Sequence, residues 1–281
     1  MSKQQEFDKL GILGVEIDAT GGDEAINFIC RYANPGQPAC YVVKPYVEFL
    51  DRAYHNNELT ALLNGAALAV PDGVALTWAA AWLYAGKRSA GRFWLTLFQI
   101  VLDPAALRWP LTSRAAGINF TWPLLEAAAA NQLKVFLVGT PKHNSIGHTR
   151  STLESAIPKL HIVGVHDGHD PAGRPGEVGD TWLAQLAEAI SSAKPDLILV
   201  GMGFPLQEHV CAYLAAHLNH GVFIGEGGTF DYERFGGQRP KAPAYFQHLG
   251  LEWLWRLVLE PWRLRRQLAI PRFIVRIWRE R

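Results

Sequence analysis

The chain has 281 residues, 49% of them hydrophobic and 19% charged, with a formal net charge of +1. That balance suits one large globular domain, or a domain with an appendage, and excludes a disordered chain. Three cysteines (Cys30, Cys40 and Cys211) and no C-x-x-C pair exclude a disulfide scaffold and a cysteine-rich zinc site, and fit a reducing compartment.

The opening residues, "MSKQQEFDKLG", are polar and lack the apolar core of a signal peptide. Short β-rich runs then alternate with helical patterns. "GILGVEI", "CYVVK", "AALAV", "KVFLV", "LHIVGV", "DLILV" and "GVFIG" read as strands. Residues 23–33, 47–64, 74–85, 121–131, 145–156, 181–193 and 207–218 read as helices. The alternation predicts a mostly parallel sheet with helices on both faces. Residues 170–180 form a Gly/Pro-rich surface loop. No segment offers the roughly 20 uninterrupted apolar residues of a spanning helix. The nearest, Leu59 to Gly86, is broken by Asn64, Pro71, Asp72 and Gly73. The expectation is a cytosolic protein that meets any membrane from the side.

Two pieces stand outside the alternation. Residues 87–112, "KRSAGRFWLTLFQIVLDPAALRWPLT", form an aromatic-rich insert that is uncharged from Phe93 to Leu102. The other is the tail, "LEWLWRLVLEPWRLRR" at 251–266 followed by "PRFIVRIWRER". From Leu251 onward there are eight Arg and three Glu, so the tail carries +5 and the 250 residues before it −4. A basic stripe on a mildly acidic body suggests an anionic partner for the stripe alone. Interleaved Arg and Trp also suit single-stranded nucleic acid, but the acidic body and the lack of any nucleic-acid module argue against it.

Ligands of parallel sheets bind beyond the strands' C-terminal ends. There the sequence places Pro71-Asp72-Gly73, Gly139-Thr140-Pro141, Gly201-Met202-Gly203 and Glu226-Gly227-Gly228-Thr229-Phe230-Asp231. Such Gly-bearing turns can turn backbone N–H groups toward a phosphate, or be ordinary tight turns. Asp72 is placed either as a general base or as the N-cap of the helix after it. "HDGHD" at 166–170 has the donors of a metal site, and a metal-dependent hydrolase centred on His166–Asp170 is one rival reading. Adjacent loop positions rarely converge on one ion, however, so no metal is expected. The chain has no D-x-D pair, so arginine is the expected partner of any diphosphate. A membrane adaptor without enzymatic activity is a second rival.

Taken in order, "VVKPYVEFL", "ALLNGAALAVPDGVALTWAA", "SRAAGINF", "KVFLVGTP", "IVGVHDG", "KPDLILVGMGFPLQEHV", "IGEGGTFDY", "RPKAP" and the tail resemble the WecG/TagA/CpsF family of bacterial glycosyltransferases. The resemblance implies a Rossmann-like α/β core, residues 1–241 including the 87–112 insert, and a helical, basic and aromatic appendage at 242–281. It implies inverting transfer of a hexose from a UDP-sugar to a polyprenyl-diphosphate-linked saccharide at the cytoplasmic membrane face. Asp72 would be the catalytic base. Gln207, Asp231 and Arg114 would lie near the donor, with Gly139, Gly203 and Gly228 in the donor-binding turns.

The family commonly carries T-P-N where this chain has Lys44-Pro45-Tyr46. Lys44 could pair with a phosphate and Tyr46 stack on a sugar. Asn119 stands where an Asp is usual, and His169 where an aromatic is. These departures leave the reaction type standing and leave N-acetylmannosaminyl and glucosyl transfer both open. The tail would lie on anionic lipid, Trp253 and Trp262 at headgroup depth, while Arg256, Arg263, Arg265 and Arg266 clamp the acceptor diphosphate. A homo-oligomer could use the same apolar stripe. The tail is further expected to be removable after Gly250 without unfolding the core.

Overall fold

A computed structural model describes residues 6–84, 86–107, 109–111, 118–142, 144–170, 178–243, 245–246, 252–261 and 264–280. Strands β1 (Lys9–Ile12) and β2 (Val15–Asp18) form an antiparallel hairpin, with Leu13 and Gly14 at its turn both at positive φ. The run "GILGVEI", expected as one strand, thus folds back on itself.

Helix α1 (Gly22–Tyr32) follows, its first turn closed by Glu24 Oε2, which accepts the Gly21 N–H at 2.7 Å. Next come β3 (Cys40–Val43), α2 (Val47–Ala53), α3 (Asn57–Asn64), β4 (Leu68–Ala69) and α4 (Val74–Tyr84). The expected helix 47–64 is two helices, because the Asn56 side chain accepts the Leu59 N–H at 3.0 Å and starts α3 anew. The insert supplies α5 (Ala90–Leu102), capped by Ser89. The chain continues through α6 (Ile118–Ala130), β5 (Lys134–Gly139), α7 (Ile146–Ala156), β6 (His161–His166) and α8 (Asp180–Ala193). Then come β7 (Leu197–Gly201), α9 (Leu206–His217) and β8 (Val222–Gly225), and in the tail α10 (Glu252–Leu259), α11 (Leu264–Gln267) and α12 (Ala269–Arg279).

Six strands form one sheet in the order β4-β3-β8-β7-β5-β6, every pair parallel. Side chains alternate across it with the period of two that a strand imposes. Val135, Leu137, Leu197, Leu199, Val222 and Ile224 face a core with α1, α6 and α7. Phe136, Val138, Ile198, Val200 and Phe223 face the opposite core with α8 and α9. The α/β fold read from the sequence is therefore present.

A third core joins the hairpin, α2–α5 and α12. Residues 269–279, expected to belong to the appendage, supply Ala269, Phe273 and Ile277 to this core, all buried. Arg272 and Arg276 both reach the buried Asp51 carboxylate of α2, at 2.6 and 2.7 Å. Past the helix, Glu280 accepts the Leu13 N–H at 3.1 Å and its carbonyl accepts Arg88 at 2.9 Å. The last stretch of the tail is thus packed structure, and its removal would strip a core rather than release an arm.

Candidate active site

All six strands point the same way, and the loops leaving them share one rim. From the β4 edge inward stand Asp72, then Lys44-Pro45-Tyr46 after β3, then Glu226-Gly227-Gly228 after β8. Gly201-Met202-Gly203 follows β7, Gly139 ends β5, and His169 lies past β6 at the far edge. Asp72 is half-buried, and its N–H donates to the Pro45 carbonyl at 2.9 Å, which joins the β4 and β3 loops. Gly73, at φ +90, then turns the chain into α4 in a conformation few other residues adopt. Five strand spacings separate the two edges, roughly 24 Å. His169 rides on a loop that folds inward from the β6 edge, with Gly168 packed against Gly139 and Met202. It is exposed, with its N–H on Asp167 Oδ1 at 3.0 Å. In the middle of the rim the Phe230 ring lies so close to Gly201 that an added Cβ there would come within 2.7 Å of Cδ2. Gly139 is packed against the same ring.

Beneath the rim lies a buried polar cluster. Lys44 Nζ donates to Glu226 Oε2 at 2.7 Å, and Thr121 Oγ1 donates to the same oxygen at 2.6 Å. Lys44, expected to reach a phosphate, is instead buried against a carboxylate 182 residues away. Gln207 is buried too. Its Oε1 accepts the N–H groups of Gly203 at 2.9 Å and Gly227 at 2.8 Å, so one amide fastens the two glycine turns together. Its Nε2 donates to Glu208 Oε1 at 2.8 Å. Burial pushes the Glu208 carboxyl up to about 8, opposed by the Gln207 hydrogen bond and by the charges of Lys44 and Arg52. Glu208 Oε2 and Glu226 Oε1 have no hydrogen-bond partner among the described residues. Glu208 and Glu226 were not singled out from sequence, where each reads as one letter of a longer motif.

The tail meets the rim at two points. Arg239, from the "RPKAP" segment, donates to Asp231 Oδ2 at 3.0 Å, to the Gly228 carbonyl at 3.0 Å and to Glu260 Oε1 at 2.9 Å. Asp231 Oδ1 accepts the Lys142 N–H at 2.7 Å, so both oxygens of the residue expected to hold the nucleotide already bond within the chain. The Arg256 guanidinium lies 5.5 Å from the Tyr232 ring centroid. At the second point Arg266 donates to the Tyr46 hydroxyl at 2.6 Å and to Glu48 Oε2 at 2.7 Å. Tyr46 donates to Glu48 in turn, at 2.6 Å. Burial pushes the Tyr46 phenol well above its ordinary value, partly offset by Arg266. Tyr46, expected under a sugar, ties the tail to the β3 loop. Sequence reasoning missed Arg239, although an arginine between a glycine-rich turn and an acidic tail residue was a usable signal. Asn119 is exposed in the first turn of α6. Arg114, Trp262 and Arg263 lie outside the described residues, as do the side chains of Trp253 and Arg265.

In "HDGHD" the side chains serve the loop. Asp167 accepts from Thr140 Oγ1 at 2.6 Å, Asp170 accepts the Gly179 N–H at 2.8 Å, and the His166 ring packs edge-on to Trp182. Among the described residues no three His, Cys, Asp or Glu side chains come together in a way that could hold a metal ion.

Comparison with known proteins gives a match to the model of the glycosyl transferase WecG/TagA/CpsF family over residues 10–99 and 99–281, nearly the whole chain. The chain belongs to the WecG/TagA/CpsF glycosyltransferase family. Similar curated proteins include one from Bacillus spizizenii named N-acetylglucosaminyldiphosphoundecaprenol N-acetyl-beta-D-mannosaminyltransferase, 28% identical over 237 residues, covering 84% of this chain and 78% of that protein. A Bacillus subtilis protein of the same name is 35% identical over 170 residues, 60% of this chain and 61% of its own length. One from Staphylococcus aureus, named alike, is 28% identical over 274 residues, 96% and 92% of the two chains. A WecG/TagA/CpsF protein is an enzyme that transfers sugars, and with that the hydrolase and adaptor readings fall. No helix among the described residues is long and apolar enough to cross a membrane.

Proposed function

We propose that this glycosyltransferase moves a hexose from a UDP-sugar to a saccharide carried on a polyprenyl diphosphate, in the assembly of a cell-surface polymer or exopolysaccharide. The reading rests on the relatives' names, which specify a sugar-diphosphoundecaprenol acceptor. The observation that carries its mechanism is the half-buried Asp72 carboxylate at the strand-end rim, one loop from Lys44-Pro45-Tyr46. Asp72 takes the proton of the acceptor hydroxyl as that oxygen attacks C1 of the donor sugar. UDP leaves from the opposite face, and the anomeric centre is inverted. The donor lies over the turns after β7 and β8, where Gln207 fixes the position of Gly203 and Gly227.

Residues 242–267 serve as the acceptor-binding part of the tail, and α12 fixes them to the body. Arginines there, Arg256 and Arg266 among them, supply the positive charge that the two diphosphates require, with no metal. Arg239 is a positioning residue that holds the Gly228–Asp231 turn to the tail through Glu260. The protein works on the inner face of the cell membrane. N-acetylmannosaminyl transfer, as in the relatives' names, and glucosyl transfer are the two donor options, and a screen of UDP-sugars separates them.

The test is a thermal-shift titration with UDP in EDTA, followed by turnover of Asp72→Asn. UDP at about 100 times its Kd should stabilise the fold by about 2.7 kcal/mol, seen as a rise of a few degrees. Asp72→Asn should lower turnover roughly 10²–10⁴-fold with UDP affinity unchanged. Near-normal turnover would move the base elsewhere, and no shift with UDP would remove the donor assignment.

A further inference from the structure

Helix α5 is apolar on both sides, and only one side is covered. Phe93 is 4% exposed and Thr96 6%. The Phe93 ring meets Trp78 at 5.5 Å, Trp82 at 5.1 Å and Trp278 at 4.6 Å, so the helix is locked onto the body. On the other side Trp94 is 58% exposed, Leu95 59%, Phe98 62% and Leu102 79%. At 3.6 residues per turn those four positions share an arc of roughly 100°. A contiguous apolar face of that kind on a rigid helix marks an interaction surface.

We propose that this face of α5 is a membrane-docking surface that seats in the headgroup region of an anionic bilayer. The choice of lipid over another partner draws support from the lipid-linked acceptor in the proposed function, but three observations on the surface itself point the same way. Its charge is arranged at the rim: the apolar stretch from Phe93 to Leu102 has no charge, while Lys87, Arg88 and Arg92 gather at its start. Arg88 and Arg92 are fixed there, donating to the Leu83, Trp82 and Ala81 carbonyls at 3.1, 3.2 and 2.6 Å. Those bonds place cations at the last turn of α4, where the helix dipole favours them. The surface also extends onto α12. Trp278, 44% exposed, touches Phe93, with Val275 and Arg279 on the same helix. Finally, tryptophan beside arginine at the edge of an apolar patch is the composition of a membrane–water interface. Lipid phosphates neutralise these cations where they border the apolar face. With 13 residues, α5 is about 20 Å long, too short to span a bilayer and suited to lying in its surface.

The test uses the full chain and vesicles of phosphatidylcholine with phosphatidylglycerol, in a co-sedimentation titration. Two variants are compared, Trp94→Ser/Phe98→Ser and Leu102→Glu, each confirmed as folded by an unchanged melting temperature. Wild type should bind in proportion to phosphatidylglycerol content, and each variant about tenfold or more weakly. The UDP-induced thermal shift should be the same in all three, so a failed donor assignment would show there and leave the vesicle result standing. Vesicle binding unchanged in both variants would overturn the proposal. So would a wild-type dimer in light scattering without vesicles that becomes monomeric in the variants, because a second copy would then be the occupant.

Discussion

Helix α12 turns Ala269, Phe273 and Ile277 into a core and sets Arg272 and Arg276 on the buried carboxylate of Asp51. Helix α5 is of similar length and equally rich in large apolar residues, yet leaves Trp94, Leu95, Phe98 and Leu102 in solvent. Amphipathic character does not separate the two. The position of the charge does. In α12 Arg272 and Arg276 flank the stripe of Ala269, Phe273 and Ile277 and meet an acid on the body, so that stripe is closed against its own chain. In α5 the cations stand at one end and bond to carbonyls, and the outer stripe stays exposed, without a partner among the described residues.

Breaking the buried member of the pair should give the largest effect. Phe273→Ala is expected to cost about 3–5 kcal/mol in urea unfolding, because the ring fills the space beside Trp78 and the third core has no side chain to replace it. A loss under about 1 kcal/mol would mean that α12 rests on the body without holding it. Asp51→Ala should cost less, about 1–3 kcal/mol, by removing the buried carboxylate that two guanidiniums share. Its denaturation midpoint should fall while that of Arg92→Ala, at the α5 end, moves less; the opposite order would reverse the reading of the charges.

Asp51 also has a counterpart in Glu208, a buried carboxylate with an amide instead of arginines on it. With its folded value raised to about 8 from the usual 4.5, Glu208 holds a proton that the unfolded chain has released. Its contribution to stability is full below pH 4.5, declines as the pH rises through the interval, and is gone above about 8. Glu208→Gln, neutral throughout, should lack that decline, so its melting temperature should gain on wild type from pH 5 to pH 8 by a few degrees. Parallel melting curves would show that Glu208 is ionised in the fold. The smallest effect belongs to the exposed face. Phe98→Ser should change stability by no more than about 0.5 kcal/mol, and a larger loss would mean that the face is covered.

Much of this molecule was legible in its sequence. The strands of the sheet declared themselves by apolar runs, those of β5, β7 and β8 ending in glycine, and the rim followed from where the runs stop. The position of Asp72 at the rim came from the same rule. What could not be read were pairings between distant residues. Lys44 looked like a phosphate ligand because Glu226, its partner, lies in another strand's loop. The arginines of α12 looked free for lipid because Asp51, 221 and 225 residues away, sits in an unremarkable helix. Arg239 joins Asp231 to Glu260, a pairing set only when the chain folds back on itself. Local pattern gives elements and turns, and charge partners are set by topology.

The stitch between Glu280, Leu13 and Arg88 has a bearing on how the protein is made. Synthesis runs from the first residue to the last, so the β1–β2 hairpin and the pocket that receives Phe273 are produced long before the helix that fills it. During that interval Trp78 and its neighbours lack the part of their cover that α12 supplies. A premature stop just before α12 should therefore leave a chain with an open greasy cleft, a substrate for chaperones and proteases rather than a weaker enzyme.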